Sequence, residues 1–325
     1  MSRAARLTAT LGTLLALGGC VAALLIWWVG RDDNPLIRRN DCRASVDGRT
    51  VALSPEQARH SATIAAVALE RGLPARAVTI ALATAYQESD IYNIDYGDRD
   101  SLGLFQQRPS QGWGTPEQVQ DPVYAAGAFY DALVDIPNYR ELEVTVAAQE
   151  VQRSAFPDAY ADHEDDARVL ASALTGNSPA AFYCTFRADD VAAQAEGDDG
   201  LTDRARAVRD ELAGTFDDLD IGGFQPGGVD SGHVEGSAHY DGRALDVMFE
   251  PYDDPDVNRR GWAVAQWAVA NAQELGIATI IYDDRIWSAR RSDEGWREYT
   301  HPSGDTTNVT LRHLDHVHID VAEGS

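Results

Sequence analysis

Lysine is missing from the sequence, so all 27 basic residues are arginines, set against 52 acidic residues. The formal net charge of −25 excludes a nucleic-acid-binding surface, which needs clustered positive charge to neutralise phosphates. Disorder is not expected, because 44% of the residues are apolar and helical patterns are frequent. We therefore expect a folded, acidic protein without a nucleic-acid partner.

Long apolar runs without charge are also scarce in the sequence. One such run extends from Leu7 to Val29. At ~1.5 Å per residue a helix of this length crosses a bilayer, and Trp27 and Trp28 suit its interface. The tract before Cys20 resembles a lipoprotein cleavage box, but the apolar run continues beyond it. We predict an uncleaved, single-pass transmembrane helix in the cell membrane, with the bulk of the chain extracellular.

Cysteine is rare, and outside the apolar run the sequence has only Cys42 and Cys184. In an exported chain these two residues would close a loop of 142 residues and staple the two ends of one domain. Because no cysteine lies between them, we predict this disulfide in preference to two unrelated buried thiols.

Helical and strand patterns divide the rest of the chain into regions. Helices are predicted from Ser54 onwards and at Leu73–Ser89, Val123–Val134, Val144–Arg153, Ala161–Leu174, Thr202–Leu212 and Gly261–Leu275. Short β-branched runs such as Ala278–Tyr282 accompany the last two. The sequence thus predicts an α+β multidomain protein. Its predicted parts are a cytoplasmic stub and membrane anchor (1–30), a tether (31–47), a mostly α-helical domain (48–186), an acidic linker (187–200) and an α+β domain (201–325).

The first candidate site is a carboxylate at the end of a buried helix. The apolar stretch Ala81–Tyr86 leads into Glu88, and an irregular, aromatic-rich stretch follows over 90–122. Burial disfavours the charged form of a carboxyl group, so the pKa of Glu88 should be raised toward that of a general acid. A capping or salt-bridged surface glutamate is the alternative from spacing alone.

Glu88–Ser89 and the later Gly103–Gln106 resemble the E-S and G-L-M-Q motifs of the lytic transglycosylases of the lysozyme-like superfamily. Gln152–Tyr160 stands where that family has a motif with an active-site tyrosine, and the resemblance covers about residues 50–175. It implies a lysozyme-like fold and cleavage of peptidoglycan between N-acetylmuramic acid and N-acetylglucosamine. Glu88 would act as acid and then as base, and Ser89, Gln106 and Tyr160 would bind substrate.

The sequence leaves two chemical outcomes open. A transglycosylase lets the sugar's own 6-hydroxyl attack, whereas hydrolysis with inversion needs a second carboxylate about 6.5 to 9.5 Å from the first. Asp95, Asp98 and Asp100 in the irregular stretch are candidates for that second carboxylate. We favour the transglycosylase, because acidic loop residues are usually solvated turn residues, and keep lysozyme-type hydrolysis as the alternative.

Histidines cluster in the second half, where five of the eight lie between His239 and His318. His239 and Asp246 fall in the pattern S-x-H-x-x-G-x-A-x-D. Near the end of the chain, strand alternation puts His316 and His318 on one face and the apolar residues on the other. Two imidazoles, an earlier histidine and an aspartate form a nitrogen and oxygen ligand set for zinc with an open fourth position.

These motifs resemble the zinc D-alanyl-D-alanine carboxypeptidase superfamily, which includes the LAS-type murein endopeptidases, over about residues 215–321. The resemblance implies that His239, Asp246 and His318 bind zinc. It places Asp315 at the position of the base that activates water and His316 at that of a histidine that steadies the oxyanion.

Together these patterns predict a membrane-anchored enzyme that faces the cell wall and remodels peptidoglycan, with a lysozyme-like domain and a zinc-peptidase-like domain. The rival class is a non-catalytic protein that binds the wall polymer without cutting it. The intact Glu88 and the intact histidine and aspartate set favour the enzyme.

Overall fold

The computed structural model describes residues 40–154, 158–188 and 190–325. The predicted transmembrane helix, Cys20 and most of the predicted tether lie outside these residues and stay predictions. Within the described ranges, no helix combines the length and the apolar character that a membrane span requires.

The first half of the described chain combines a small sheet with a set of helices. Its elements are β1 (Asp41–Val46), β2 (Arg49–Leu53), α1 (Pro55–Glu70), α2 (Ala75–Ser89), α3 (Pro116–Val119), α4 (Pro122–Val134), α5 (Val144–Gln152), α6 (Glu164–Leu174) and β3 (Phe182–Thr185). The three strands form an antiparallel sheet in the order β2-β1-β3. The last residues of the predicted tether are therefore part of β1.

The second half is built on a larger antiparallel sheet. Its elements are α7 (Asp203–Thr215), β4 (Ile221–Gly222), β5 (Ala244–Met248), α8 (Pro255–Leu275), β6 (Ile277–Tyr282), β7 (Arg285–Ser288), β8 (Arg297–Glu298) and β9 (His316–Val321). The strand order is β4-β5-β9-β6-β7-β8, and α8 packs on β6 and β9. Val317, Ile319 and Val321 of β9 are buried, as the alternation predicts. The α+β fold class is confirmed.

Local sequence features set the ends of the first two helices. Ser54 caps α1, because its hydroxyl accepts a hydrogen bond from the Gln57 backbone at 3.2 Å while the Gln57 side chain accepts one from the Ser54 backbone at 2.9 Å. In α2 the whole run from Ala77 to Ala85 is buried, and the helix ends where Asp90 adopts a left-handed φ of 54°. The predicted buried helix therefore carries Glu88 in its last turn.

The predicted disulfide is confirmed. Cys42 of β1 and Cys184 of β3 are direct cross-strand neighbours and are bonded to each other. The bond closes a loop of 142 residues. In the chain-entropy model, a loop of that order stabilises the fold by about 4 to 5 kcal/mol.

Side chains of the second half form hydrogen bonds with backbone groups of β3 and of the end of α6. Gln266 of α8 is fully buried, its Oε1 accepts a hydrogen bond from the Phe182 N–H at 2.9 Å, and its Nε2 donates to the Ala173 carbonyl at 2.6 Å. The indole N–H groups of Trp287 and Trp296 donate to β3 carbonyls at 3.3 and 2.8 Å. Residues 40–325 form one compact unit, so the two predicted domains share a core.

We expect Gln266→Leu to destabilise both halves together. The leucine leaves the Phe182 N–H and the Ala173 carbonyl buried without a partner, which should lower the free energy of unfolding by at least about 2 kcal/mol. Urea unfolding of the full-length protein, followed by far-UV circular dichroism and by tryptophan fluorescence, should show one shared transition at lower urea. Gln273→Leu, at an exposed position of the same helix, is the matched control. Two separate transitions, with only one shifted, would contradict this coupling.

Candidate active sites

Glu88 lies half-buried in the last turn of α2, and a buried tyrosine holds its carboxyl group. The Tyr160 hydroxyl, which is fully buried, donates a hydrogen bond to Glu88 Oε1 at 2.8 Å. Burial raises the pKa of Glu88 above its ordinary value, and hydrogen bonds from Tyr160 and Gln152 oppose this shift only in part. The raised pKa is the direction that the apolar helix predicts, because burial disfavours the charged form of the carboxyl group.

Two side chains bind the segment 103–106, one from the end of α2 and one from the end of α5. Ser89 Oγ donates a hydrogen bond to the Leu104 carbonyl at 2.8 Å, and Gln152 Nε2 donates to the Phe105 carbonyl at 2.8 Å. The two sequence motifs quoted for the first site therefore meet in space. Ser89 connects the two motifs through its hydrogen bond to Leu104. Gln152 also contributes to the site, and the sequence analysis assigned it no role.

Gln106 lies on the irregular stretch and contacts its backbone. Gln106 Nε2 is 3.3 Å from the carbonyl oxygens of both Tyr96 and Gly103. Gly103 has a φ of 76°, and a Cβ at this position would lie 2.2 Å from the Val119 carbonyl oxygen, so the turn requires glycine. This glycine fixes the course of the loop that presents Gln106. In the motif Gln152–Tyr160, residues 155–157 lie outside the described residues.

The three candidates for a second carboxylate differ in their surroundings. Asp100 accepts hydrogen bonds from the Ser110 N–H at 2.7 Å, the Ser110 hydroxyl at 2.9 Å and Arg108 Nε at 3.0 Å. These donors lower the pKa of Asp100 to about 2, so it is a weak base. Asp95 and Asp98 are exposed. Asp100 therefore holds the loop, and the other two are the remaining candidates for activating water.

We expect Glu88→Gln to stabilise the protein increasingly as the pH rises. A carboxyl group whose pKa is raised by folding contributes its stability at low pH and loses it as the pH rises through the folded pKa. The melting temperature of the variant should therefore match the wild type near pH 4 and exceed it at pH 7.

Glu117→Gln is the control for this experiment, because its change in melting temperature should have the opposite sign. The pKa of Glu117 is lowered by its own backbone N–H and by the Thr115 hydroxyl, so its removal should cost most at neutral pH. A melting-temperature difference between Glu88→Gln and wild type that stays constant from pH 4 to pH 7 would contradict the raised pKa of Glu88.

The second site is assembled by the pairing of two neighbouring strands. Asp246 of β5 is the direct cross-strand partner of His318 in β9. His239 reaches the same point from the short 3-10 helix Ala238–Asp241, which precedes β5. His239 and His318 are buried, with 2% and 9% of their surface exposed. The structure thus brings together the three residues that the sequence proposed as ligands.

The ligand atoms of these residues form a small triangle. His239 Nε2 lies 3.2 Å from His318 Nδ1, which lies 3.1 Å from Asp246 Oδ1, and the third side, from His239 Nε2 to Asp246 Oδ1, is 3.4 Å. Two ligand atoms bound to one tetrahedral zinc ion at about 2.0 to 2.1 Å lie roughly 3.3 Å apart. The triangle therefore fits a metal ion, and these three residues can hold one.

Outer contacts orient the two histidines. His239 Nδ1 donates to the Gly223 carbonyl at 2.6 Å, which leaves Nε2 to face the triangle. Gly223 has a φ of 82°, and a Cβ there would lie 2.5 Å from His239 Cε1, so this close approach requires glycine. On the other ring, His318 Nε2 lies 3.8 Å from Asp320 Oδ2. His239 is therefore held by the nitrogen that faces away from the triangle, and His318 has a carboxylate near the corresponding nitrogen.

The charges within the triangle stabilise one another. Burial opposes ionisation of Asp246, but hydrogen bonds from His239 and His318 hold the pKa of Asp246 well below its ordinary value. Burial likewise opposes protonation of His318, but Asp246 and Asp320 raise the pKa of His318 to about 9. A buried, ionised carboxylate of this kind attracts a cation.

Asp315 and His316 form a buried pair beside the triangle. His316 Nδ1 donates to Asp315 Oδ1 at 2.6 Å, and the Thr310 hydroxyl donates to Asp315 Oδ2 at 2.7 Å. His316 Nε2 points back to Asp246, 3.7 Å from its Oδ1. Because both oxygens of Asp315 are engaged, this carboxylate is placed to orient His316, and His316 presents a free ring nitrogen to the site.

A family described as "VldE, C-terminal domain" matches residues 197–310. The matched range includes His239 and Asp246 and ends before β9. No curated protein matches the chain. The family match covers none of the first half, so the lysozyme-like resemblance there and the LAS-type resemblance of the second half stay predictions.

Two further histidines, to which the sequence reasoning gave no role, lie against this site. The His313 ring centroid is 4.6 Å from that of His316, and burial, followed by His318 and His316, lowers the pKa of His313 to about 2. The His233 ring stacks on His239 at 4.0 Å. His313 could have been found from the sequence, because it lies only three residues before β9. His233 could not, because it lies in a glycine-rich loop without a motif.

Proposed function

We propose that the protein is a peptidoglycan-cleaving enzyme whose first half cuts the glycan strand with Glu88 as its acid and base. The observation that carries this proposal is the 2.8 Å hydrogen bond from buried Tyr160 to the half-buried Glu88 carboxyl group. The Cys42–Cys184 disulfide supports an extracellular location, because such bonds persist in oxidising compartments. With the predicted anchor, the enzyme would face the cell wall from the membrane.

In the proposed reaction, protonated Glu88 donates its proton to the glycosidic oxygen between N-acetylmuramic acid and N-acetylglucosamine. The Tyr160 hydroxyl fixes the carboxyl group through Oε1, so that Glu88 is oriented for this proton transfer. Glu88 then accepts the proton of the muramyl 6-hydroxyl as that oxygen bonds to C1, which gives a 1,6-anhydro product. The low pKa of Asp100 removes one of the three candidate bases for hydrolysis, since a carboxylate with a pKa of about 2 is a poor base for water.

We expect Glu88→Gln to release no glycan fragments from purified peptidoglycan sacculi, because the amide cannot donate the proton. Mass spectrometry of fragments from the wild-type, full-length protein should find 1,6-anhydro-N-acetylmuramic acid ends. Asp98→Asn is the matched control and should leave both the rate and the products unchanged. Reducing ends, lost with Asp95→Asn or Asp98→Asn, would establish lysozyme-type hydrolysis instead. Cleavage by Glu88→Gln at the wild-type rate would refute the catalytic assignment.

For the second half we propose a zinc site at His239, Asp246 and His318 that serves the cleavage of wall peptides. Zinc in such a site polarises a carbonyl oxygen and lowers the pKa of water. The fit rests on the triangle of ligand atoms and on the outer contact of His239 with Gly223. His316 would take up and return a proton at Nε2, with Asp315 fixing its ring through Nδ1.

We expect the full-length protein to bind one zinc ion and to lose it on His239→Ala or His318→Ala. Asp315→Ala and His316→Ala should keep the metal, as measured by elemental analysis, and both should lose release of wall peptides from sacculi. If Asp315 acts through His316, then Asp315→Ala should add no further loss in the His316→Ala background. A further loss in that background would show that Asp315 is a base in its own right. Zinc binding without any peptide release by wild type would favour a non-catalytic wall-binding role for this half.

A further inference from the structure

A cavity of about 890 Å³ lies away from both candidate sites. It is lined by the segment after β3, the end of α8, the start of β6 and the residues that follow β9. Val321 borders it at the far end of β9, three residues and roughly 10 Å along the strand from His318. None of its lining residues belongs to the zinc triangle or to the surroundings of Glu88.

Four arginines line this cavity, and one of them, Arg243, is ion-paired with Asp241 at 2.9 Å. The other three have no carboxylate partner among the described residues, and two of them, Arg187 and Arg290, are exposed. Arg204 donates only to carbonyl oxygens, those of Ala192 and Ala322, along the cavity wall. By contrast, most other arginines of the described chain are ion-paired, including those neighbouring Arg204 and Arg290 in sequence: Arg206, Arg209 and Arg291.

The rest of the lining is mixed in character. Of the acidic residues, Glu274 is engaged by Arg59 at 3.4 Å, while Asp190 and Glu323 are exposed. Apolar side chains contribute as well: Phe186, Val191, Leu275 and Ile277. The guanidinium groups of Arg187 and Arg290 and the apolar walls suit a ligand that has carboxylates and apolar parts together, whereas Asp190 and Glu323 oppose a carboxylate placed beside them.

Backbone geometry adds a feature that suits a peptide. The register of β6 against β9 shifts between Ile277 and Thr279, so Ala278 has no partner in that ladder. The pairing of β6 with β7 begins only at Thr279. The strand that borders the cavity is thus irregular at Ala278, which is one of the lining residues. The volume is that of a small-ligand site and accommodates a peptide of a few residues.

We propose that this cavity binds a short peptide-like ligand with carboxylate groups, and that Arg187 and Arg290 bind those carboxylates. Guanidinium groups bind carboxylates through paired hydrogen bonds, and the net charge of −25 leaves few other places on this protein that attract an anion. The site goes beyond the proposed glycan and peptide cleavage, because none of its residues takes part in either.

Two blocked peptides test the proposal by isothermal titration calorimetry on the full-length protein. N-acetyl-Ala-Glu-Ala-Glu-amide should bind at least tenfold more tightly than its twin with Gln in place of Glu. Arg290→Ala and Arg187→Ala should each weaken binding of the glutamate peptide at least fivefold, and Arg290→Lys should weaken it less. Arg285→Ala, which removes a partly exposed arginine of β7 that is not a lining residue, is the matched control and should bind as wild type does.

Three results would overturn the proposal. One is equal binding of the glutamate and glutamine peptides, and a second is wild-type affinity in Arg290→Ala and Arg187→Ala with unchanged melting temperatures. The third uses inorganic phosphate as a competitor, because phosphate shares the oxyanion but not the peptide chain. If phosphate binds as tightly as the glutamate peptide and displaces it, the cavity is a simple anion site and the peptide assignment is wrong.

Discussion

Gln266 occupies the position on which the arrangement of both candidate sites depends. Its amide binds the end of α6 through the Ala173 carbonyl and the start of β3 through the Phe182 N–H. The same α6 packs against α2, which carries Glu88, while α8, which carries Gln266, packs on β9 and its histidines. A buried amide that satisfies two buried backbone groups is costly to break, because each group would be left unpaired. The two sites are therefore held in one frame.

In both sites a polar group from a neighbouring residue fixes the orientation of a side chain that is proposed to react or to bind metal. Tyr160 holds one oxygen of Glu88, and Asp315 holds one nitrogen of His316. The Gly223 carbonyl does the same for His239. In each case the hydrogen bond limits the orientations that the reactive side chain can adopt. Such support fixes a side chain to the precision that catalysis and metal binding demand.

Features that depend on nearby residues could be predicted from the sequence, and those that depend on distant contacts could not. The capped start at Ser54, the buried helix before Glu88 and the alternation in β9 follow from local patterns. The convergence of His239, Asp246 and His318 came from motif spacing. By contrast, the role of Gln266 arises from hydrogen bonds to residues more than eighty positions away in sequence. The strand β1 within the predicted tether is missed although it pairs with the adjacent β2 through the turn Asp47–Gly48, which is a local hairpin signal. For Asp315, the role of base that the resemblance implies stays a prediction, and its contacts with His316 and Thr310 add an orienting role as a second hypothesis to test.

The acidic composition has two opposite consequences for the proposed activities. Peptidoglycan carries carboxylates of its own, so a protein with a net charge of −25 is repelled from it at long range. Salt screens that repulsion and should ease the encounter with the wall. The same screening weakens the short-range attraction between arginine and carboxylate in the cavity beside β6. Under the proposed function, recognition of the wall therefore rests on contacts made at close range in buried or partly buried sites, where screening is weakest.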